Sequence, residues 1–126
     1  MPRRGYKDII LGELTHDCLF CRIVRREIAA QIVYEDEQAL VFKDVNAQAP
    51  THVLVVPKKH LGSLAASTDE DGVLLGHLQR VACRVAENAK LASFRLVTNS
   101  GRGAGQSVEH LHYHLLAGRP MQWPPG

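Results

Sequence analysis

The sequence is poor in cysteine and has no long apolar run. Three cysteines, an odd number in a chain of 126 residues, make a poor disulfide framework and favour a reducing compartment. No stretch approaches the roughly 18 consecutive apolar residues of a transmembrane helix. Residues 1–16 also lack the apolar core of a signal peptide. We therefore expect a cytoplasmic protein with no membrane partner.

The chain also lacks a strong excess of charge of either sign. Fifteen basic side chains offset 13 acidic ones, which leaves a formal net charge of +2 at pH 7. The basic clusters are not interleaved with aromatic residues, so we expect no nucleic-acid partner. The remaining composition, 45% hydrophobic and 22% charged residues, suits a single globular domain of this length.

Turn signals and hydrophobic periodicity predict an α+β domain behind a polar, basic and flexible lead-in at residues 1–16. A short helix is expected from Leu19 to Arg26. A long helix is expected from about residue 69 to 90, with Ser67 and Glu70 as a capping box at its start. Apolar and β-branched runs predict strands at residues 31–34, 39–43, 53–56, 94–98 and 110–116. Short connections favour one five-stranded antiparallel sheet, with both helices packed on one face.

The most informative segment places histidine at the alternate positions His110, His112 and His114, directly after a glycine-rich loop. Alternate side chains of a strand share a face, so the three imidazoles are expected on one side and the intervening apolar residues in the core. Three buried polar rings would need many hydrogen-bond partners, which disfavours a purely structural role. One metal held by all three is also disfavoured, because His110 and His114 start about 13 Å apart along an extended strand.

A row of imidazoles suits chemistry at phosphorus. A neutral imidazole is a good nucleophile near pH 7 and also leaves well. A second, protonated histidine can donate to phosphate oxygens and to the leaving group. The glycine-rich loop and Ser107 precede the histidines and can bind the oxygens that gain charge. The pattern favours covalent transfer of a phosphorus group through a phosphohistidine.

Residues 110–116, with the sequence HLHYHLL, match the His-φ-His-φ-His-φ-φ signature of the histidine triad (HIT) superfamily. Asn99 and residues 42–45, 48–60, 105–107, 118–120 and 123–126 are similar to its Hint branch. The resemblance covers about residues 18–126. It implies one HIT domain over residues 17–126, and a homodimer whose sheets join across the interface.

The resemblance also implies roles for individual residues. His112 would be the nucleophile that forms a nucleotidyl-histidine intermediate, and His114 would contact the phosphate and assist the leaving amine. Ser107 would touch the phosphate or the leaving group. His52 and His110 would help to orient the site.

The same resemblance implies a nucleotide pocket. Asp44 would bind the ribose hydroxyls, with Asn99 and Gln106 beside Ser107. The C-terminal tail would bring Trp123 towards the site of the partner. The base pocket would be lined by Phe20, Ile23, Ile28, Phe42, Val45 and Leu54.

The implied activity is hydrolysis of the P–N bond of purine nucleoside phosphoramidates, which releases a monophosphate of the AMP or GMP type and an amine. No cofactor is implied for catalysis. Two alternatives stay open. One is another HIT reaction, such as dinucleoside polyphosphate hydrolysis or nucleotide transfer, and the other is a nucleotide-binding scaffold.

A second site is indicated by the pair Cys18 and Cys21, two ligands at the spacing that zinc sites use. No second pair of this kind follows, which excludes a self-contained zinc finger. Some HIT proteins complete such a site with two histidines, and the resemblance implies His52 and His110 here. The alternative is two unliganded thiols. His16, His60 and His77 are expected to be surface or structural residues.

Glu109 departs from the Hint pattern, which generally has an apolar or aromatic residue there. Strand alternation would place it on the core side of the sheet. We therefore expect it to sit at the edge of the sheet or to pair with a basic residue, and to alter the substrate entrance.

Overall fold

The computed structural model describes residues 4–5 and 18–126, so most of the predicted lead-in at 1–16, together with His16, lies outside the described residues. In chain order the elements are β1 (Arg4–Gly5), α1 (Leu19–Val24), β2 (Ile28–Ala29), β3 (Ile32–Glu35), β4 (Ala39–Lys43), β5 (Thr51–Pro57), α2 (Gly72–Asn88), β6 (Arg95–Val97) and β7 (Tyr113–Ala117). Short 3₁₀ turns lie at Asp69–Asp71 and Arg102–Ala104. Within the described residues, no helix is long and apolar enough to cross a membrane.

The main sheet has five strands in the order β3-β4-β5-β7-β6, and each neighbouring pair is antiparallel. The predicted sheet is therefore confirmed. A separate parallel pair joins β1 to β2. Because β7 lies between β5 and β6, the last histidine of the row is central in the sheet, with His114 opposite Leu54 of β5.

The prediction that both helices pack on one face is wrong, because each face of the sheet carries one helix. On one face α2 contributes Leu78 and Val81 to a core that includes Val41 of β4. On the other face α1 contributes Phe20 to a core that includes Phe42 of β4. All four residues from Ala39 to Phe42 are fully buried, as expected for a strand covered on both sides.

The long helical segment begins at Asp69, as predicted, but its first turn is 3₁₀ and Ser67 does not cap it. The Ser67 hydroxyl donates to the carbonyl of Leu64 at 2.6 Å. The Asp71 carboxylate instead accepts from the Thr68 backbone N–H at 2.8 Å and from Lys59 Nζ at 2.7 Å. This anchor closes the 3₁₀ turn, so the α-helix proper begins at Gly72. The capping box is therefore formed by Thr68 and Asp71, each one residue after the predicted Ser67 and Glu70.

The β3–β4 hairpin is tied to α2 through one carboxylate. Asp36 accepts from the backbone N–H groups of Gln38 and Ala39 at 2.8 Å each and from the Tyr34 hydroxyl at 2.9 Å. His77 Nε2 of α2 lies 2.7 Å from the same carboxylate. Burial alone would raise the pKa of Asp36, but these hydrogen bonds lower it to about 2. His77 thus has a structural role, as the sequence indicated.

Gly118 allows the backbone after β7 to pass close to Pro50 in the loop before β5. Gly118 has a φ of +95°, and a Cβ placed there would lie 2.8 Å from Pro50 Cβ. We expect Gly118→Ala to lower the free energy of unfolding by about 2–4 kcal/mol, from backbone strain plus overpacking. Gly76→Ala in α2 meets no atom within 4 Å. It should raise that free energy by about 0.5–1 kcal/mol through helix propensity. Urea unfolding of both variants measures these opposite changes in the free energy of unfolding. A change of the same sign and size in both variants would contradict the prediction.

Candidate active site and metal centre

An open cleft of about 510 Å³ lies on the face of the sheet that α1 covers. Its lining combines a carboxylate, three histidines, a hydroxyl and several apolar side chains. The lining residues are Phe20, Asp44, Val45, Asn46, Gln48, His52, Leu54, Ser107, Val108, His112 and His114. The polar groups converge where β5 and β7 run side by side.

The histidine row begins before the strand does. β7 starts at Tyr113, not at His110 as predicted, because the backbone N–H of Leu111 donates to the carbonyl of Leu61 rather than to β5. The face assignment is nevertheless correct. Leu111 and Tyr113 enter the α2 core, while the rings of His112 and His114 lie 5.0 Å apart on the cleft side.

Hydrogen bonding assigns the proton of His112. Its Nδ1 lies 2.7 Å from the carbonyl oxygen of His110, and a carbonyl can only accept. The neutral ring therefore carries its proton on Nδ1 and has a lone pair on Nε2. Phe20 packs edge-on against this ring at a centroid distance of 5.2 Å, which holds its orientation. His112 is 5% exposed and is in the chemical form that a nucleophile requires.

A second chain of hydrogen bonds assigns the proton of His114. The backbone N–H of Gln48 donates to His52 Nδ1 at 3.0 Å, so the neutral His52 ring carries its proton on Nε2. That Nε2 lies 2.9 Å from His114 Nδ1 and 3.4 Å from an Asp44 carboxylate oxygen. His114 Nδ1 accepts, so its proton lies on Nε2. The row thus holds an acceptor nitrogen at His112 and an N–H donor at His114.

Burial lowers the pKa of each of these rings and so favours its neutral form. Desolvation, followed by the like charges that His112 and His52 would carry, lowers the pKa of His114 to about 4. Desolvation also lowers the pKa of His112 and that of His52, although the Asp44 carboxylate opposes both shifts. In this structure His114 is therefore a donor through its neutral N–H, and the expectation of a second, protonated histidine beside a bound phosphate stays a prediction.

The glycine-rich loop is organised by a buried amide. Gln106 Oε1 accepts from the Gly101 N–H at 2.8 Å, and its Nε2 donates to the carbonyls of Gly62 and Val108 at 2.7 and 2.9 Å. Gln106 therefore faces the loop and does not line the cleft, in contrast to the prediction. This arrangement leaves Ser107 exposed on the cleft wall.

Two further predicted nucleotide contacts also lie away from the cleft lining. The Asn99 amide lies beside Gly105, where a Cβ would be 3.7 Å from its Nδ2. Trp123 is 82% exposed at the C-terminal end. Its predicted contact belongs to a partner subunit and stays a prediction.

The residues predicted to line the base pocket divide between the cleft wall and the core. Phe20, Val45 and Leu54 line the cleft. Three further predicted residues, Ile23, Ile28 and Phe42, are at most 2% exposed and form the core beneath it. The sequence interpretation did not include Asn46, Gln48 and Val108 among the lining residues. Asn46 and Gln48 follow Asp44 in the same loop, and this proximity in the sequence could have predicted that they line the cleft.

Glu109 lies outside the regular strand, so alternation does not place it in the core. Its side chain is 79% exposed, and its carboxylate lies 3.9 Å from a guanidinium nitrogen of Arg102. It therefore occupies an edge position near a basic residue. At that exposure, the pair contributes little to stability.

A cluster of metal-ligand atoms lies at the end of the row, where α1 begins. His110 Nδ1 is 3.2 Å from Cys18 Sγ and 3.6 Å from Cys21 Sγ. His60 Nδ1 is 3.1 Å from His110 Nδ1 and 3.3 Å from Cys21 Sγ. A tetrahedral zinc ion with bonds of about 2.0–2.3 Å separates its ligand atoms by roughly 3.3–3.8 Å. These four separations are near that range, and all four donor atoms lie within 4.8 Å of one another.

The predicted ligand set needs one correction, because His60 and not His52 joins the cysteines. His52 lies near the start of β5 and His60 lies three residues past its end, and the strand from His52 to Pro57 alone spans about 16 Å. Antiparallel pairing brings His114 beside the His52 end and His110 beside the His60 end. One ion cannot reach both ends, and the cysteines lie near His110.

The orientation of His110 supports metal binding at this cluster. Its Nε2 donates to the Pro57 carbonyl at 2.8 Å, which leaves the Nδ1 lone pair aimed at Cys18 and Cys21. Ligand histidines usually donate their other N–H in this way. Asp44, His52 and His114 also lie close together. A metal on His52 Nε2 would, however, leave a proton on Nδ1 facing the Gln48 N–H, so that group does not fit.

Fold and site together define a histidine triad protein: an antiparallel sheet with its histidine row beside a glycine-rich loop. The family model described as the HIT domain matches residues 25–121. The chain therefore belongs to the HIT family.

The chain is similar to proteins of this family that are named as uncharacterized, as a hydrolase and as a nucleotide-binding protein. An uncharacterized HIT-like protein from Synechocystis is 55% identical over 114 residues, which cover 90% of this chain and 100% of that protein. The crystal structure of a HIT family hydrolase from Legionella pneumophila has a TM-score of 0.85 at 46% identity, covering 87% of this chain and 100% of that one. A histidine triad nucleotide-binding protein from Candida albicans has a TM-score of 0.74 at 29% identity, covering 86% and 83%. The chain is a HIT-family hydrolase-like protein.

Proposed function

We propose that the protein hydrolyses the P–N bond of purine nucleoside phosphoramidates through a covalent nucleotidyl-His112 intermediate. The observation that carries this proposal is the assigned proton of His112, whose Nδ1 donates to the His110 carbonyl and whose Nε2 has its lone pair free for attack. A pure nucleotide binder has no use for a buried, desolvated nucleophile of this kind.

The reaction proceeds in two steps on this row. The substrate enters with its P–N nitrogen protonated, so that when His112 Nε2 attacks phosphorus the P–N bond breaks and a neutral amine leaves, while His114 Nε2–H donates a hydrogen bond to a phosphate oxygen. Water then attacks the same phosphorus and releases a proton to solvent. The bond to His112 breaks and the monophosphate leaves. His52 keeps His114 in the required tautomer through the contact of 2.9 Å.

Nucleotide recognition is assigned to the rest of the cleft. Asp44 accepts from the ribose hydroxyls at the rim, and its carboxylate is already held by the Asn46 N–H at 2.8 Å. The base packs on Phe20, Val45 and Leu54, while Ser107 meets the phosphate or the leaving group. Apolar lining suits a purine of either kind, so AMP-type and GMP-type substrates both fit. The nucleotide-binding name of the Candida relative supports this class of ligand.

We also propose a homodimer in which the tail brings Trp123 to the cleft of the partner subunit. A large aromatic side chain that is 82% exposed supports an occupied interface, because tryptophan is strongly favoured at such contacts. Within one chain, Trp123 does not line the cleft formed by the described residues.

A structural zinc ion is proposed at Cys18, Cys21, His60 and His110. The support is the fit of the donor atoms together with the outward donation of His110 Nε2 to Pro57. When bound, the ion would link the start of α1 to the end of β5 and to the histidine row. It takes no part in the chemical steps.

The purified protein is expected to release AMP from adenosine 5′-phosphoramidate and GMP from the guanosine analogue, because both bases meet an apolar cleft. Chromatography of the products measures this, and dinucleoside polyphosphates serve as the competing substrates. Sedimentation of the same sample should give a mass of twice the 13.9 kDa chain. Faster turnover of a dinucleoside polyphosphate would favour the other HIT reaction. Binding of AMP without any turnover would favour a scaffold.

A further inference from the structure

The loop from Asp44 to Pro50 supplies part of the cleft wall, and an arginine from the far end of the chain fastens it. Arg119 Nε donates to the Gln48 carbonyl at 2.9 Å. Its NH1 donates to the carbonyl of Pro120 at 3.1 Å, which fixes the guanidinium plane. Gly118 allows this approach, because any Cβ there would collide with Pro50. The tail and the loop are thus joined at one residue, Gln48.

Gln48 is held at both ends of its backbone. Its carbonyl accepts from Arg119, while its N–H donates to His52 Nδ1 at 3.0 Å. The Gln48 side chain donates to the Asn46 carbonyl at 3.0 Å and does not reach His52. The backbone N–H of Gln48 therefore determines which nitrogen of His52 carries the proton. The direction of this N–H depends on the hydrogen bond between Arg119 and the carbonyl of the same residue.

We infer that Arg119 is a positioning residue: it holds the Gln48 backbone so that His52, and through it His114, keep the tautomers that the site requires. If the Gln48 N–H turns away, His52 Nδ1 can carry the proton. Its Nε2 then becomes an acceptor facing His114 Nδ1, so two lone pairs meet at 2.9 Å. Relief of that contact moves the His114 proton to Nδ1, and the cleft loses its N–H donor.

The kinetic part of this inference rests on the proposed phosphoramidate hydrolysis, but the tautomer part does not. Both Arg119 and Gln48 are exposed, so water partly replaces the lost contact and the effect is moderate. Loss of one hydrogen bond to a charged group corresponds to a fall in kcat of about tenfold. Loosening of Asp44 at the start of the same loop should also raise KM.

The experiment compares Arg119→Ala and Arg119→Lys with Arg84→Ala. The control removes another arginine with one side-chain contact, from NH1 to the Tyr34 hydroxyl at 3.2 Å, and it lies away from the cleft. Long-range ¹H–¹⁵N spectra of the labelled histidine rings report which nitrogen of His52 and His114 carries the proton. Steady-state kinetics on adenosine 5′-phosphoramidate report kcat and KM.

The parent protein and Arg84→Ala are expected to show protonated Nε2 on His52 and on His114. Arg119→Ala should show mixed tautomers and the tenfold lower kcat. Arg119→Lys should have a kcat and a tautomer ratio between those of the parent protein and Arg119→Ala. Unchanged tautomers in Arg119→Ala would overturn the inference, even if its melting temperature falls. If no variant turns over the phosphoramidate, the proposed function fails while the spectra still decide the role of Arg119.

Discussion

Replacement of His112 by alanine is expected to lower kcat for adenosine 5′-phosphoramidate by at least about 10⁴-fold. The covalent step disappears with the nucleophile, and no neighbouring group can take its place. His114 presents an N–H to the cleft, and the His110 lone pair faces the cysteine cluster. A loss of this size corresponds to about 5 kcal/mol of barrier lowering.

Rapid-quench kinetics provide the measurement, since the parent protein should give a burst of amine before steady release of AMP. The protein quenched in alkaline denaturant should carry one labelled nucleotide at His112, because the P–N bond to histidine survives base and is hydrolysed by acid. His77→Gln is the matched control, because it removes a histidine that contacts Asp36 and lies outside the cleft lining. Its kcat should stay within about twofold. Near-parent activity in His112→Ala would show that the proposed mechanism is wrong.

Loss of the proposed zinc ion is expected to have the largest effect on stability. The purified protein should hold one zinc ion per chain, and Cys18→Ser, Cys21→Ser and His60→Ala should each reduce that content strongly. Metal binding contributes directly to folding, so the melting temperature should fall by more than about 10 °C. Chelation of the parent protein should produce the same shift.

Two control variants separate the observed ligand set from the one implied by resemblance. His52→Ala should keep its zinc, because His52 points to Asp44 and His114. Cys83→Ser should also keep it, because Cys83 lies in α2, which packs on the opposite face of the sheet. Elemental analysis by mass spectrometry gives the zinc content. Zinc retained in His60→Ala and lost in His52→Ala would restore the original assignment, and a zinc-free parent protein would refute the site.

The strand and helix pattern was largely predictable because it depends on local periodicity. Alternating and continuous apolar runs marked all five strands of the main sheet, and the stripe through Leu78, Val81 and Val85 marked α2. The errors lie where several groups compete for one hydrogen bond. Asp71, not Glu70, receives the Thr68 N–H, because Lys59 from the end of β5 holds its carboxylate in place.

The residue types of the candidate site were predictable from the sequence, but which of these side chains lie together in the folded protein was not. The sequence showed that imidazoles, thiols and a carboxylate were present at suggestive spacings. It could not show that α1 covers the histidine face and places Phe20 against His112. It also could not show that Ile23 and Phe42 fall beneath the cleft, since both faces of β4 are covered and apolar identity alone does not separate lining from core.

The sequence by itself determined the elements, the alternation that puts three histidines on one face, and the HIT signature, because each depends on residues close together along the chain. Only the tertiary structure decided which histidine serves which purpose. Antiparallel pairing of β5 with β7 sends His60 to His110 and the cysteines, and His52 to His114 and Asp44. The His110 proton is then set by the distant Pro57 carbonyl and the His114 proton by His52 of the neighbouring strand, and no local pattern encodes a contact made across the sheet. The His112 and His52 protons are set by nearby backbone groups, but only in the folded loop geometry.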